Sequence, residues 1–142
     1  MNEKLNLLLQ KNKLKNFFAN VSGLEIIKFL DYGNKEFEEI SKKMEGLYST
    51  KPSCSCILKS NEIIEWALMQ LCINNISNEI YMKNVCECYL WIVKIKILDW
   101  YKALDFFLKD NSFVMYDKFN DKAIYIGEDY NEDSEKFVFI KK

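Results

Sequence analysis

Residues Glu79 to Asp110 read EIYMKNVCECYLWIVKIKILDWYKALDFFLKD, without a glycine or a proline, and the reading of this stretch decides the fold. Tyr81, Val85, Cys88, Tyr89 and Ile92 fall on one face at helical spacing. Val93-Lys94-Ile95-Lys96-Ile97 alternates with the period of a strand instead. The length without a breaker favours the first reading. It predicts a continuous or kinked helix, then another from Asp99 to Asp110 carrying Trp100, Leu104, Phe107 and Leu108.

Working outward, the segments upstream also read as helices. Glu3 to Ala19 carries Leu5, Leu8, Leu9, Leu14, Phe17 and Phe18, with Lys4, Lys11, Lys13 and Lys15 on the other side. Ser22 and Glu25 have the spacing of a capping box, so a second helix is expected from Ser22, stopped by a left-handed Gly33. Asn34 can cap a third, Lys35 to about Tyr48. Its Phe37, Ile40, Met44 and Leu47 form a stripe, and its first turn holds Glu36, Glu38 and Glu39, where the helix dipole favours acids. A loop, Ser49 to Ser60, contains the only proline, Pro52. Another helix is expected from about Asn61 to Cys72, with Ile64, Ala67, Leu68 and Leu71 inward.

Downstream the texture changes. Phe113–Phe119 and Lys122–Gly127 are strand-like and joined by Asn120-Asp121, a plausible hairpin turn. Phe137-Val138-Phe139-Ile140, within Lys136–Lys141, is apolar on both faces, so both faces should be covered. The expected class is therefore α+β, mainly α. About five to six helices form a bundle, and a small C-terminal three-stranded antiparallel meander follows. One domain spans 1–142, with a helical body over 1–111 and the meander over 112–142.

Composition narrows the chemistry. The chain has 142 residues and contains no histidine, and every one of its basic residues is lysine. No Ser–His–Asp triad, Cys–His pair or His-ligated zinc can be built, and no guanidinium clamp on phosphate. A net charge of −1 argues against a dedicated nucleic-acid binder. No export signal or spanning segment is read in the chain, and with an odd count of five cysteines a cytoplasmic, reducing setting is expected. No P-loop, dinucleotide fingerprint or nucleophile elbow is present.

Four constellations remain. Cys54/Cys56 and Cys86/Cys88 are C-x-C pairs, too closely spaced for the usual zinc site; on a helix Cys86 and Cys88 would point about 200° apart. Buried small hydrophobes are the default reading of the cysteines, with Cys54 and Cys56 as the candidates for redox reactivity. Glu128-Asp129-Tyr130-Asn131-Glu132-Asp133-Ser134-Glu135 places five carboxylates in eight positions. It imitates the start of a calcium loop but lacks the required glycine and closing glutamate. A solvated turn is the default, and a recognition loop made of Glu128, Asp129, Tyr130, Glu132, Asp133 and Glu135 is the functional alternative. The lysine face of the first helix suits a solvated surface, or a phosphate contact. Trp66, Trp91, Trp100 and Tyr101 suit a core or an interface.

These readings predict a protein that is not an enzyme, holds no metal or cofactor, does not enter a membrane and binds another, basic protein. The concrete form is an inhibitor or antitoxin-like immunity protein whose acidic surface neutralises a partner such as a nuclease toxin. The alternatives are a nucleic-acid-associated regulator using the lysine face, or a viral or pathogen modulator of host signalling.

Overall fold

The computed structural model describes residues 2–57, 62–109, 112–128 and 137–142. They form helices α1 (Glu3–Phe18), α2 (Lys35–Met44), α3 (Ile63–Ile73) and α4 (Trp100–Lys109). The strands are β1 (Leu24–Asp31), β2 (Cys54–Cys56), β3 (Glu79–Asn84), β4 (Trp91–Ile97), β5 (Phe113–Asp117), β6 (Lys122–Glu128) and β7 (Phe137–Lys141). All seven join one sheet in the order β1-β4-β3-β5-β6-β7-β2, and every pairing is antiparallel.

The expected helical bundle with a three-stranded meander is therefore incorrect. The three C-terminal strands form and pair in sequence, but they are one part of a seven-stranded sheet. The remaining strands come from the segment expected to be a helical body. Glu79 to Ile97 is a hairpin, because the two-residue period outweighs the missing breakers. Val93, Ile95 and Ile97 are buried on one face, while Lys94 and Lys96 stand on the other. Asn84 supplies the turn that glycine or proline would otherwise supply. Its carboxamide oxygen accepts from the backbone N–H of Cys86 at 3.0 Å and of Glu87 at 2.8 Å, an Asx turn. Asn84 is fully buried, so the turn is anchored inside the fold.

The segment after Ser22 is the second correction. Leu24–Asp31 is an eight-residue strand on β4, rich in the β-branched and aromatic residues that suit a pleated surface. No helix starts at Ser22. Gly23 takes a left-handed φ of +84°, and its carbonyl accepts from Leu98 N–H at 2.8 Å and Asp99 N–H at 2.9 Å. Gly33 is not left-handed; the turn after β1 is closed by the Asp31 carboxylate, which accepts from Gly33 N–H at 3.2 Å.

The helices that do form follow their stripes. α2 is capped by Asn34, whose side chain accepts from Glu36 N–H at 2.8 Å, and it buries Phe37, Ile40 and Met44. It ends at Met44, short of the expected Tyr48, because Gly46 turns left-handed and a 3-10 turn, Leu47–Ser49, follows. On one face of the sheet, α1, α3 and α4 bring Leu14, Phe18, Ala67, Leu71, Leu104 and Phe107 against Met82, Val93, Ile95, Met115, Ile124 and Phe139. On the other face, α2 and Leu47 cover Leu30, Ile92, Val114, Tyr125, Val138 and Ile140. Strand β7 is thus covered on both faces, as its unbroken apolar run requires. Only the C-terminal half of the α1 stripe is core; Leu5, Leu8 and Leu9 remain about half exposed.

The two glycines separate the helical from the strand reading. A Cβ on Gly23 would sit 2.7 Å from the Asp99 carbonyl oxygen at a positive φ, whereas one on Gly33 meets nothing nearer than 3.6 Å. Gly23→Ala should therefore cost more than about 1 kcal/mol in a urea melt, and Gly33→Ala less than about 0.5 kcal/mol. A helix stopped at Gly33 requires the reverse order.

Candidate functional site

One helix organises the polar chemistry of the described residues. Only the apolar stripe of α2 lies on the sheet, so its flanks meet side chains that rise from the strands around it. Its first turn places Glu36 over β3. Tyr81 donates its phenolic O–H to Glu36 Oε1 at 2.6 Å, Lys28 approaches Oε2 at 3.1 Å and Lys118 approaches Oε1 at 3.5 Å. The Tyr81 hydrogen bond, with Lys28 and Lys118 beside it, holds the Glu36 carboxyl down at about 2. Burial, together with the same carboxylate, pushes the Tyr81 phenol well above its ordinary value. A proton-transfer catalyst works best when its pKa lies near the working pH. This pair is pushed away from neutrality on both sides, so it is an anchor between α2 and the sheet.

The last turn of α2 makes a parallel contact. Lys43 pairs with Asp121 at 3.1 Å, and Tyr116 donates to Asp121 at 2.7 Å. Burial and the Asp121 partner push the Tyr116 phenol up to about 12, while the Tyr116 hydrogen bond and Lys43 lower the Asp121 carboxyl.

On the opposite flank of α2 from these anchors lies Lys83, opposite Val114 in the β3–β5 ladder. Its ammonium donates to Ser41 Oγ at 3.2 Å and stands 4.9 Å from the centre of the Phe37 ring. Burial lowers its pKa, partly offset by the charge of Glu45. Beside it opens a cleft of about 620 Å³ whose wall includes Ser41, Met44, Leu47, Tyr48 and Val114. That volume falls in the usual range of small-molecule sites.

Beyond the N-terminal end of α2 the sheet carries cross-strand rows of charge. Glu25, Lys96 and Glu79 stand opposite one another across β1, β4 and β3. Lys28, Lys94 and Tyr81 form the next row.

The residues singled out from sequence fall elsewhere. Glu128 closes β6 directly opposite Phe137 of β7; Asp129, Tyr130, Glu132, Asp133 and Glu135 lie outside the described residues. Cys54 and Cys56 form the short edge strand β2, and burial pushes the Cys54 thiol up, which lowers its share of reactive thiolate. Cys86 and Cys88 sit in the β3–β4 turn, not on a helix. Among the described residues, no three His, Cys, Asp or Glu side chains gather to hold a metal ion, and no helix is long and apolar enough to cross a membrane. On α1, Lys13 pairs with Glu87 at 3.2 Å and Lys11 lies over the rings of Phe29 and Trp91. Trp91 is core, its indole N–H donating to the Leu7 carbonyl at 2.8 Å; Trp66 and Trp100 are half-buried and Tyr101 is exposed.

Comparison of the chain with protein-family models, with curated proteins and with solved structures finds no match.

Sequence reasoning missed the Glu36–Tyr81 anchor and the Ser41–Lys83 contact. Both join residues more than forty positions apart. The available signal was the alternation Tyr81, Lys83, Val85, which on a strand puts a lysine on the same face as its neighbours two residues away.

The anchor has a pH signature. Glu36 is depressed from 4.5 to about 2, so its contribution is fully present above about pH 4.5 and is lost as pH falls toward about 2. Allowing for solvent screening, the amount is about 1–2 kcal/mol. Urea melts at neutral pH and near pH 3 should show a smaller acid loss of stability in Glu36→Gln than in the parent. Equal losses would remove Glu36 as the anchor.

Proposed function

We propose that the protein is a small protein-binding module. Its most concrete form is an inhibitor or antitoxin-like immunity protein that neutralises a basic partner, such as a nuclease toxin, through an acidic surface. The observation that carries this reading is the placement of the acidic run. Residues 128–135 hold five carboxylates, and the run joins β6 to β7 where Glu128 and Phe137 are register partners. Those two strands pair with each other, and residues 123–127 of β6 and 138–140 of β7 are buried in the sheet. Charge presented from a rigid support speeds encounter with an oppositely charged partner and loses little entropy on docking.

The alternative of nucleic-acid binding through the α1 lysines draws less support. Two of those four lysines, Lys11 and Lys13, already have partners within the fold. The anchors around α2 offer no general acid or base tuned to neutral pH, which favours binding over catalysis.

The test is a fourfold variant, Asp129→Asn, Glu132→Gln, Asp133→Asn and Glu135→Gln. Its stability should change by less than about 0.5 kcal/mol, as for substitutions outside the core. Against a basic partner recovered by pull-down, surface kinetics should show slower association and a shallower salt dependence. A carboxylate that docks against a partner lysine or arginine should add a loss of about 2–5 kcal/mol, seen as faster dissociation. Unchanged affinity together with an unchanged salt slope would overturn the reading.

A further inference from the structure

We propose that the cleft beside the C-terminal half of α2 binds a small organic monocarboxylate with an apolar tail, the carboxylate being taken by the Lys83 ammonium and the Ser41 hydroxyl. Lys83 is half-buried, and among the described residues it makes no ion pair. Among the described residues its hydrogen-bond partner is Ser41 Oγ at 3.2 Å. A half-buried cation outside any ion pair carries a desolvation cost that the nearby Glu45 charge offsets only in part, and an entering anion relieves the remainder. Ser41 accepts from Lys83, which leaves the hydroxyl hydrogen to donate to the same anion. One ammonium and one hydroxyl side by side match the two oxygens of a carboxylate.

The rest of the cleft selects the kind of anion. Its wall includes Met44, Leu47 and Val114, all buried against the sheet, with the exposed ring of Tyr48 toward solvent. The apolar surface open to a ligand is that of Tyr48 and Val85, with the other three packed behind it, and it suits an aliphatic or aromatic tail. The charged groups facing the cleft are Lys42, Lys83 and Glu45, and the Lys142 ammonium donates to the Glu45 carbonyl at its margin. Three lysines against one carboxylate leave the corner positive. Glu45 opposes a dianion such as phosphate more than a singly charged carboxylate. Burial also lowers the Lys83 pKa, and a bound carboxylate should raise it again. The site rests on Ser41 and Lys83 rather than on the acidic run, so its test is separate from that of the proposed docking.

The experiment titrates the full chain with octanoate, octanol and octylamine below their aggregation limits. It is followed by calorimetry and by NMR of lysine side chains in ¹³C-labelled protein. Octanoate should bind at least about tenfold more tightly than octanol or octylamine, a factor worth about 1.4 kcal/mol. Lys83→Met, which keeps an unbranched apolar stem over Phe37, should erase that preference and leave octanol unchanged. In the parent protein, octanoate should move the Lys83 titration to higher pH. Equal binding of octanoate and octanol, full octanoate affinity in Lys83→Met, or a Lys83 titration that does not move would each overturn the site. The NMR arm uses the unmodified chain and decides the matter even if Lys83→Met fails to fold.

Discussion

The ladder between β3 and β5 holds the molecule together. Its four pairs, Tyr81↔Tyr116 to Asn84↔Phe113, are among the described residues the only strand contact joining β1-β4-β3 to β5-β6-β7-β2. A break there would divide the sheet into two smaller ones, each with a new open edge. Two devices reinforce the junction. Asp117, fully buried at the end of β5, accepts from Ser77 N–H at 2.9 Å and from Asn120 Nδ2 at 2.8 Å. It thereby ties the β5–β6 turn to the connection that enters β3. The second device is α2, whose Phe37, Ile40 and Met44 belong to the same packed cluster as Leu30 and Ile92 of one half and Val114, Tyr125 and Ile140 of the other.

This bridging role explains why the polar chemistry gathers around α2. A helix lying across a junction buries one stripe and leaves two flanks over strand side chains that already face it. Hydrogen bonds and ion pairs there hold both halves: Glu36 engages Lys28 and Tyr81 from one and Lys118 from the other, and Lys43 engages Asp121. The flank that meets Lys83 differs in having a hydroxyl where the others have carboxylates. The same architecture therefore leaves two charge-satisfied anchors on one flank of α2 and, on the other, a cation with room beside it.

How much of this was legible depends on whether the signal was local. The stripe of α2 with its Asn34 cap, the helical run of α4 and the β5–β6 hairpin are each specified within a dozen residues and do form, although α2 ends at Met44 and the hairpin turns over the four residues Lys118–Asp121 instead of the expected two. The strands β1, β3 and β4 were missed because local cues competed. Ser22 and Glu25 imitate a capping box, and the long run without glycine or proline imitates a helix. The deciding information is that Val93, Ile95 and Ile97 must face α1, α3 and α4 while Lys94 and Lys96 face away. The absence of a breaker is weak evidence wherever a buried asparagine can close the turn, as Asn84 does here. The Lys83 cleft was illegible for a further reason: it needs α2 and β3 to be neighbours, and no periodicity records that.

The edges of the sheet bear on how such a protein can recognise another. An open strand edge invites partners to add strands, and natural sheets blunt their edges against it. One edge here is β2, only three residues long. The other is β1, where a bulge between Ile26 and Lys28 interrupts the ladder and Lys28 reaches toward Glu36. A short strand at one side and a bulged, lysine-bearing one at the other both disfavour recognition by strand addition. A net charge of −1 conceals how unevenly charge is distributed, with five carboxylates among residues 128–135 of the sequence and lysines Lys42, Lys83 and Lys142 gathered at the cleft. Because screening at physiological ionic strength acts over about 8 Å, a partner or ligand responds to the patch it approaches, and the near-neutral total has little bearing on either encounter.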